Sequence, residues 1–296
     1  MYLSTLIATS RPAFLVLTFA CLSVPFAFAY HEQQTINPFL ASLIAIGALC
    51  AHIAVSMLNE YLDFTSGLDT KTDKTPFSGG SGGLIAQPHA KQSILVGAII
   101  ALIVCCIIGV YISLIVGLPL LVIGLLGISI VLTYTPILNR FPVLCLLAPG
   151  VGFGLLLING SYFILTQTFN PNVLLVSFIV FFQVNNLLLL NQFPDIEADK
   201  AHGRRHWAIH YGRASAARIY TGMALFSAGT LAISLGLGYL SLLNLIVFIP
   251  IGLSLHIGWF LMRMASHASN QELLPNLRNN VLITLLTPCL IALGVL

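Results

Sequence analysis

Long apolar runs broken by short polar joints make up this chain. Nine of them are close to the roughly 20 residues a helix needs to cross a hydrocarbon core. They cover residues 12–30, 38–58, 92–115, 118–138, 142–165, 172–193, 215–239, 242–264 and 279–296. Three joints are long enough to hold structure of their own: residues 59–91, residues 194–213, and the segment around His267 to Leu277. The pattern predicts an all-α polytopic membrane protein, a single domain over residues 1–296 with nine transmembrane helices. Gly150, Gly152, Gly154 and Gly160 crowd the fifth run, where they allow close approach between helices.

Composition agrees. The chain is 58% hydrophobic and 7% charged, with a mean hydropathy of +0.98. A soluble domain carries roughly 25% charged residues. The net charge of +3 does not point to nucleic acid, because the charges sit on joints between spans. All six cysteines fall inside apolar runs without a CxxC pair, which reads as helix packing. With nine alternating spans, all twelve Lys and Arg fall on one side. The joints at 31–37, 116–117, 166–171 and 240–241 have none. The positive-inside rule makes the basic side cytoplasmic. The amino terminus is then inside and the carboxyl terminus outside, in the cell's inner (cytoplasmic) membrane.

Negative charge is concentrated in two places. Glu60, Asp63, Asp69 and Asp73 lie in one acidic stretch, and Asp195, Glu197 and Asp199 lie in another. Both face the cytoplasm in this topology. Asn59 and Asp63 stand four apart around Tyr61, and Asn191 and Asp195 stand four apart around Phe193, 132 positions later. The echo predicts two pseudo-symmetric four-helix units plus one helix, around a central cavity, with a site where the halves meet. Residues four apart share a helix face. Asn59 with Asp63, and Asp195 with Asp199, then form a nest of oxygens suited to Mg²⁺ and a substrate phosphate. Lys71, Lys74, Lys200, Arg204 and Arg205 lie beside it, as candidates for the remaining phosphate oxygens. The Gly-Gly-Ser-Gly-Gly run at 79–83 is able to wrap a ligand.

These motifs resemble the UbiA superfamily of intramembrane prenyltransferases. The resemblance covers most of the chain: Arg11-Pro12 at the start, the nine spans and both acidic motifs. The first motif, usually NDxxDxxxD, reads Asn59-Glu60-Tyr61-Leu62-Asp63 here. Gly67 stands at the strict last position, and Asp69 follows two later. The second motif, DxxxD, is intact as Asp195 to Asp199. NEYLDFTSGLDT followed by KTPFSGG is most similar to the branch that prenylates dihydroxynaphthoate for menaquinone. His210 stands where that branch commonly has an Arg.

The resemblance implies Mg²⁺-dependent transfer of a polyprenyl group from its diphosphate to an aromatic acceptor. The acceptor implied is 1,4-dihydroxy-2-naphthoate, with 4-hydroxybenzoate or another acceptor as the alternative. It further implies Mg²⁺ on Asp63, Asp69, Asp195 and Asp199, with Asp63, Asp195, Asp199 and Tyr134 as catalytic groups. Lys71, Lys74, Lys200, Arg204, Arg205, Asn59 and Asn191 would hold the diphosphate. Tyr134 becomes a wall residue of a dry cavity open to lipid.

Other residues carry weaker signals. His202, His206 and His210 repeat every four positions, but Gly203 argues against an unbroken metal-binding helix. Asn159, Asn185 and Asn186 are costly facing lipid and belong against a cavity or a neighbouring helix. A cation-coupled secondary transporter is the rival class; its carboxylates belong near mid-bilayer rather than at span ends beside Lys and Arg. A phosphatidyltransferase of CDP-alcohols needs an Asp-Gly and Ala-Arg pattern that is absent here.

Overall fold

The computed structural model describes every residue except Met1, Asp73, Lys74, Pro76 and residues 265–268, and leaves out the side chain of Thr70. The predicted contact of Lys74 lies outside the described residues. The described chain is helical. Its long helices are α1 (Pro12–Gln33), α2 (Pro38–Ser66), α3 (Lys91–Val116), α4 (Leu118–Thr133), α5 (Pro142–Thr166), α6 (Pro171–Asn191), α7 (Arg213–Gly236), α8 (Leu242–Met264) and α9 (Asn270–Val295). Eight of them are long and apolar enough to cross a membrane. The other, α4, is apolar but has only 16 residues, about 24 Å at 1.5 Å per residue.

Local chemistry sets the helix ends. Proline opens α1, α2, α5 and α6, where its missing N–H removes nothing from the ladder. Asn37 caps α2 through Phe39 N and Leu40 N, and Asn170 caps α6 through Asn172 N. Ser269 and Glu272 form a reciprocal capping box on α9. Gly67, at φ 81°, stops α2.

That stop comes late. The 29 residues of α2 span about 44 Å, more than the roughly 30 Å of a hydrocarbon core. The extra turns carry Asn59, Glu60 and Asp63 as helix, where the apolar pattern alone predicts a loop after residue 58. α9 similarly begins nine residues before the apolar run at 279.

Successive helices pack on one another, and α9 returns to α1, which closes the circuit. α6 is the most buried of the eight long spans and α3 the least. α5 meets α6 at very short range: a Cβ on Gly154 would lie 2.6 Å from Phe181 Cα. The middle of α5, Gly150–Leu157, is π-helical. Asn185 on α6 steadies the start of that segment by accepting from Gly150 N at 2.7 Å. Asn186, Tyr220 and Asn280 tie α6, α7 and α9 together through a buried chain of hydrogen bonds. Asn159 bonds Ser177 on α6 at 3.0 Å. The asparagines in the spans therefore serve helix contacts, one of the two roles the sequence allows them.

Candidate active site

Both acidic motifs open on one cavity of about 250 Å³. Its mouth is lined by Asn59, Asp63, Asp69, Asn191, Asp195, Asp199 and Arg204. Its deeper wall is apolar, with Phe14, Leu17, Val55, Phe153, Val184 and Leu187. Tyr134 lines it as well, with its hydroxyl 3.9 Å from Cys145 Sγ.

Arg204 sits between the two motifs. Its Nη1 donates to Asp199 Oδ1 at 2.9 Å, and its Nη2 donates to Asp63 Oδ1. Burial works against its charge, but Asp63 and Asp199 outweigh that and push its pKa up. His206, almost fully buried, brings Nε2 within 3.2 Å of Asp199 Oδ2 without an aligned hydrogen bond.

The glycine-rich loop closes over the mouth from the first motif's side. Gly79 N donates to Asp195 Oδ2 at 3.1 Å, which couples the first loop to the second motif. Gly80 has φ +73°, and a Cβ there would lie 3.0 Å from Asp69 Oδ1. The left-handed φ calls for glycine, and a side chain there would also press on the Asp69 carboxylate. Glu60 anchors the same loop. It is 1% exposed and accepts from Ser81 N, Ser81 Oγ and the Arg11 guanidinium, at 2.6–2.8 Å. Glu60 thus holds the loop, α2 and the start of α1 together.

Several predicted phosphate contacts are placed elsewhere. Lys71, Lys200 and Arg205 are exposed and do not line the cavity. Arg11, read from sequence only as the start of a span, does line it. The three-histidine stripe does not form, because the helix stops at Ala201 and resumes at Trp207. His202 bonds Ala198 O, and His210 is exposed.

The donors fit Mg²⁺ in kind. Asp195 Oδ1 and Asn191 Oδ1 are buried with no hydrogen-bond partner among the described residues, which asks for a cation or water. Burial and neighbouring Asp199 push Asp195 up to about 7, so a bound cation would replace a proton near neutrality. Among the described residues no three carboxylates or histidines converge tightly enough to hold an ion as they stand. Arg204 bridges Asp63 and Asp199 instead.

The sequence matches the UbiA prenyltransferase family over residues 15–281. It is 33% identical over 190 residues to a 1,4-dihydroxy-2-naphthoate octaprenyltransferase of Bacillus subtilis, covering 63% of this chain and 59% of that relative. It is 26% identical over 231 residues to the Escherichia coli protein of the same name, covering 75% and 73%. Among solved structures, one on digeranylgeranylglyceryl phosphate synthase superposes with a TM-score of 0.67 at 13% identity, over 99% of this chain and 98% of that one. A UbiA homolog from Archaeoglobus fulgidus bound to DMAPP and Mg²⁺ superposes at 0.64 and 15% identity, over 98% of both chains.

Proposed function

The chain belongs to the UbiA prenyltransferase family, and from that premise we propose that it transfers a polyprenyl group from a prenyl diphosphate to an aromatic acceptor. The acceptor is 1,4-dihydroxy-2-naphthoate, and the product is a precursor of menaquinone. One observation carries this reading: two acidic motifs 132 positions apart meet, with Arg204, at the mouth of a cavity whose depth is apolar. The relatives' activity supports the choice of acceptor.

Asp63, Asp69, Asp195 and Asp199, with Asn191, would hold Mg²⁺, which neutralises the diphosphate and makes it a better leaving group. Arg204 takes the diphosphate's remaining negative charge, and Asn59 steadies the same end. Lys71, Lys200 and Arg205, exposed outside the cavity, draw the anionic substrate in. The glycine loop covers the diphosphate. Phe14, Leu17, Val55, Phe153 and Tyr134 enclose the allylic carbon and exclude water, and the rings of Phe14, Phe153 and Tyr134 meet developing positive charge. Allylic C–O cleavage releases pyrophosphate, the acceptor ring carbon forms the new C–C bond, and the ring loses a proton or its carboxyl group as CO₂ to restore aromaticity.

In the membrane, α4 also spans, which brings the count to nine, and the two acidic motifs close equivalent ends of two related halves. The amino terminus and both motifs face the cytoplasm of the inner membrane, where the soluble diphosphate arrives. A cation-coupled transporter is the weaker reading, because the carboxylates close span ends around an arginine. The test is purified protein with Mg²⁺, a prenyl diphosphate and either dihydroxynaphthoate or 4-hydroxybenzoate, with product detected by mass. Turnover of dihydroxynaphthoate alone bears out the reading. Turnover of 4-hydroxybenzoate alone replaces the acceptor and keeps the chemistry.

A further inference from the structure

Below the acidic mouth, α2 turns two more polar side chains into the cavity. His52 is 9% exposed and Ser56 is 8% exposed, and both line the cavity. They lie on the face that carries Asn59 and Asp63. At 1.5 Å per residue they stand about 16 Å and 10 Å along the helix from Asp63.

His52 is held on two sides. Its Nδ1 is 2.8 Å from Thr18 Oγ1 on α1, and its ring meets Phe153 edge to face at 4.9 Å. Thr18 is fully buried and makes no other hydrogen bond among the described residues. Its hydroxyl hydrogen therefore has Nδ1 as acceptor, since a buried donor left unpaired is the costlier arrangement. The ring proton then sits on Nε2. That atom has no partner among the described residues.

Ser56 is unusual in the same direction. Helical serines commonly bond the carbonyl one turn back, as Ser42, Ser113 and Ser129 do here. Ser56 makes no hydrogen bond among the described residues. Two polar groups, nine-tenths buried, thus point into a cavity with apolar walls. Their polar atoms face open cavity space rather than protein, which leaves them available to the oxygen atoms of a ligand seated there.

We propose that His52 and Ser56 are the docking site for the oxygen substituents of the aromatic acceptor, with His52 Nε2–H donating to a ring hydroxyl or carboxylate oxygen. This rests on the prenyl-transfer reading above and names the subsite it needs. The acceptor ring lies deeper than the diphosphate, flanked by Val55, Phe153 and Val184. The allylic carbon lies between the ring and the carboxylates. Thr18 positions the imidazole and sets its tautomer.

The experiment measures KM for each substrate separately in wild type, His52→Phe, His52→Gln and Ser56→Ala. Phenylalanine keeps a ring against Phe153 but has no N–H, and glutamine restores a donor. His52→Phe is expected to raise the acceptor KM about tenfold or more and leave the prenyl-diphosphate KM within about twofold. His52→Gln should recover most of that loss. Ser56→Ala should raise the acceptor KM about threefold. Unchanged acceptor KM in both His52→Phe and Ser56→Ala, with wild type active, overturns the subsite and leaves the prenyl-transfer reading standing. A parallel rise in both KM values also overturns it and assigns the pair to packing. Wild-type protein inactive with every acceptor overturns the prenyl-transfer reading, and the subsite with it. Thermal stabilisation by prenyl diphosphate and Mg²⁺ reports folding in each variant, and Ser56→Ala carries the test if His52→Phe does not fold.

Discussion

The two acidic motifs echo each other in sequence and differ in build. Asn59 and Asp63 sit on the uninterrupted last turns of α2. Asn191 ends α6, Pro194 follows, and Asp195 stands just before a new short helix, Ile196–Ala201, without a side-chain cap bond to it. The first motif is anchored by Glu60, which is saturated by Arg11 and Ser81. The second keeps open valences at Asn191 Oδ1 and Asp195 Oδ1 and supplies the only guanidinium that bridges both motifs among the described ion pairs. Asn59, by contrast, accepts from Thr135 at 3.0 Å. Matched spacing therefore yields unequal partners: a rigid half that holds the loop, and an open half that offers oxygens and Arg204.

Seven substitutions sharpen that contrast, from large effect to small. Asp63→Ala and Asp195→Ala should each lower turnover by about a hundredfold or more, with membrane insertion intact. Asp63→Ala also leaves Arg204 with one carboxylate fewer. Normal turnover in either variant would break the shared-site account. Arg204→Ala should come next, about a hundredfold, while Arg205→Ala stays within about threefold. Equal losses from the two arginines would mean that exposed charge matters as much as the buried bridge.

Glu60→Gln tests the rigid half. It should lower stability by about 2 kcal/mol, read as a lower melting temperature and faster proteolysis within residues 67–82. Catalysis per folded molecule should change less than in Asp63→Ala. Within the two motifs, the smallest effect is expected for the asparagines. Asn191→Ala should weaken Mg²⁺-dependent binding of prenyl diphosphate several-fold, about the value of one hydrogen bond, and Asn59→Ala should weaken it less. The reverse order would place the open valence on the first motif.

Much of the scaffold was legible because it is written in apolar run length. The meeting of Asp63, Asp195 and Asp199 at one cavity follows from the repeat and the four-residue spacing, and Asp69 joins them there as the family resemblance implies. Position within a joint was not legible. Lys71, Lys200, Arg204 and Arg205 look alike as charges beside carboxylates, yet only Arg204 turns inward. Gly203, at φ +80°, ends the short helix, and the backbone then runs Arg204 N to Asp199 O and Arg205 N to Asn139 O. Adjacent arginines are thereby sent to opposite sides. Glu60 reads as a retained motif charge, and its structural role needs Arg11 and Ser81, distant in sequence. His52 and Ser56 lie inside an apolar run, where one polar residue per turn resembles packing until its partners are known. The late end of α2 was signalled by Gly67, a left-handed stop beyond the hydrophobic run.

The most direct test of the shared site is transfer by the purified, folded chain in detergent, with Mg²⁺, a prenyl diphosphate and 1,4-dihydroxy-2-naphthoate, followed by product mass and pyrophosphate release. The account predicts a prenylated naphthoate product that disappears with EDTA and in Asp195→Ala. Folded protein that releases no pyrophosphate with any acceptor would contradict it.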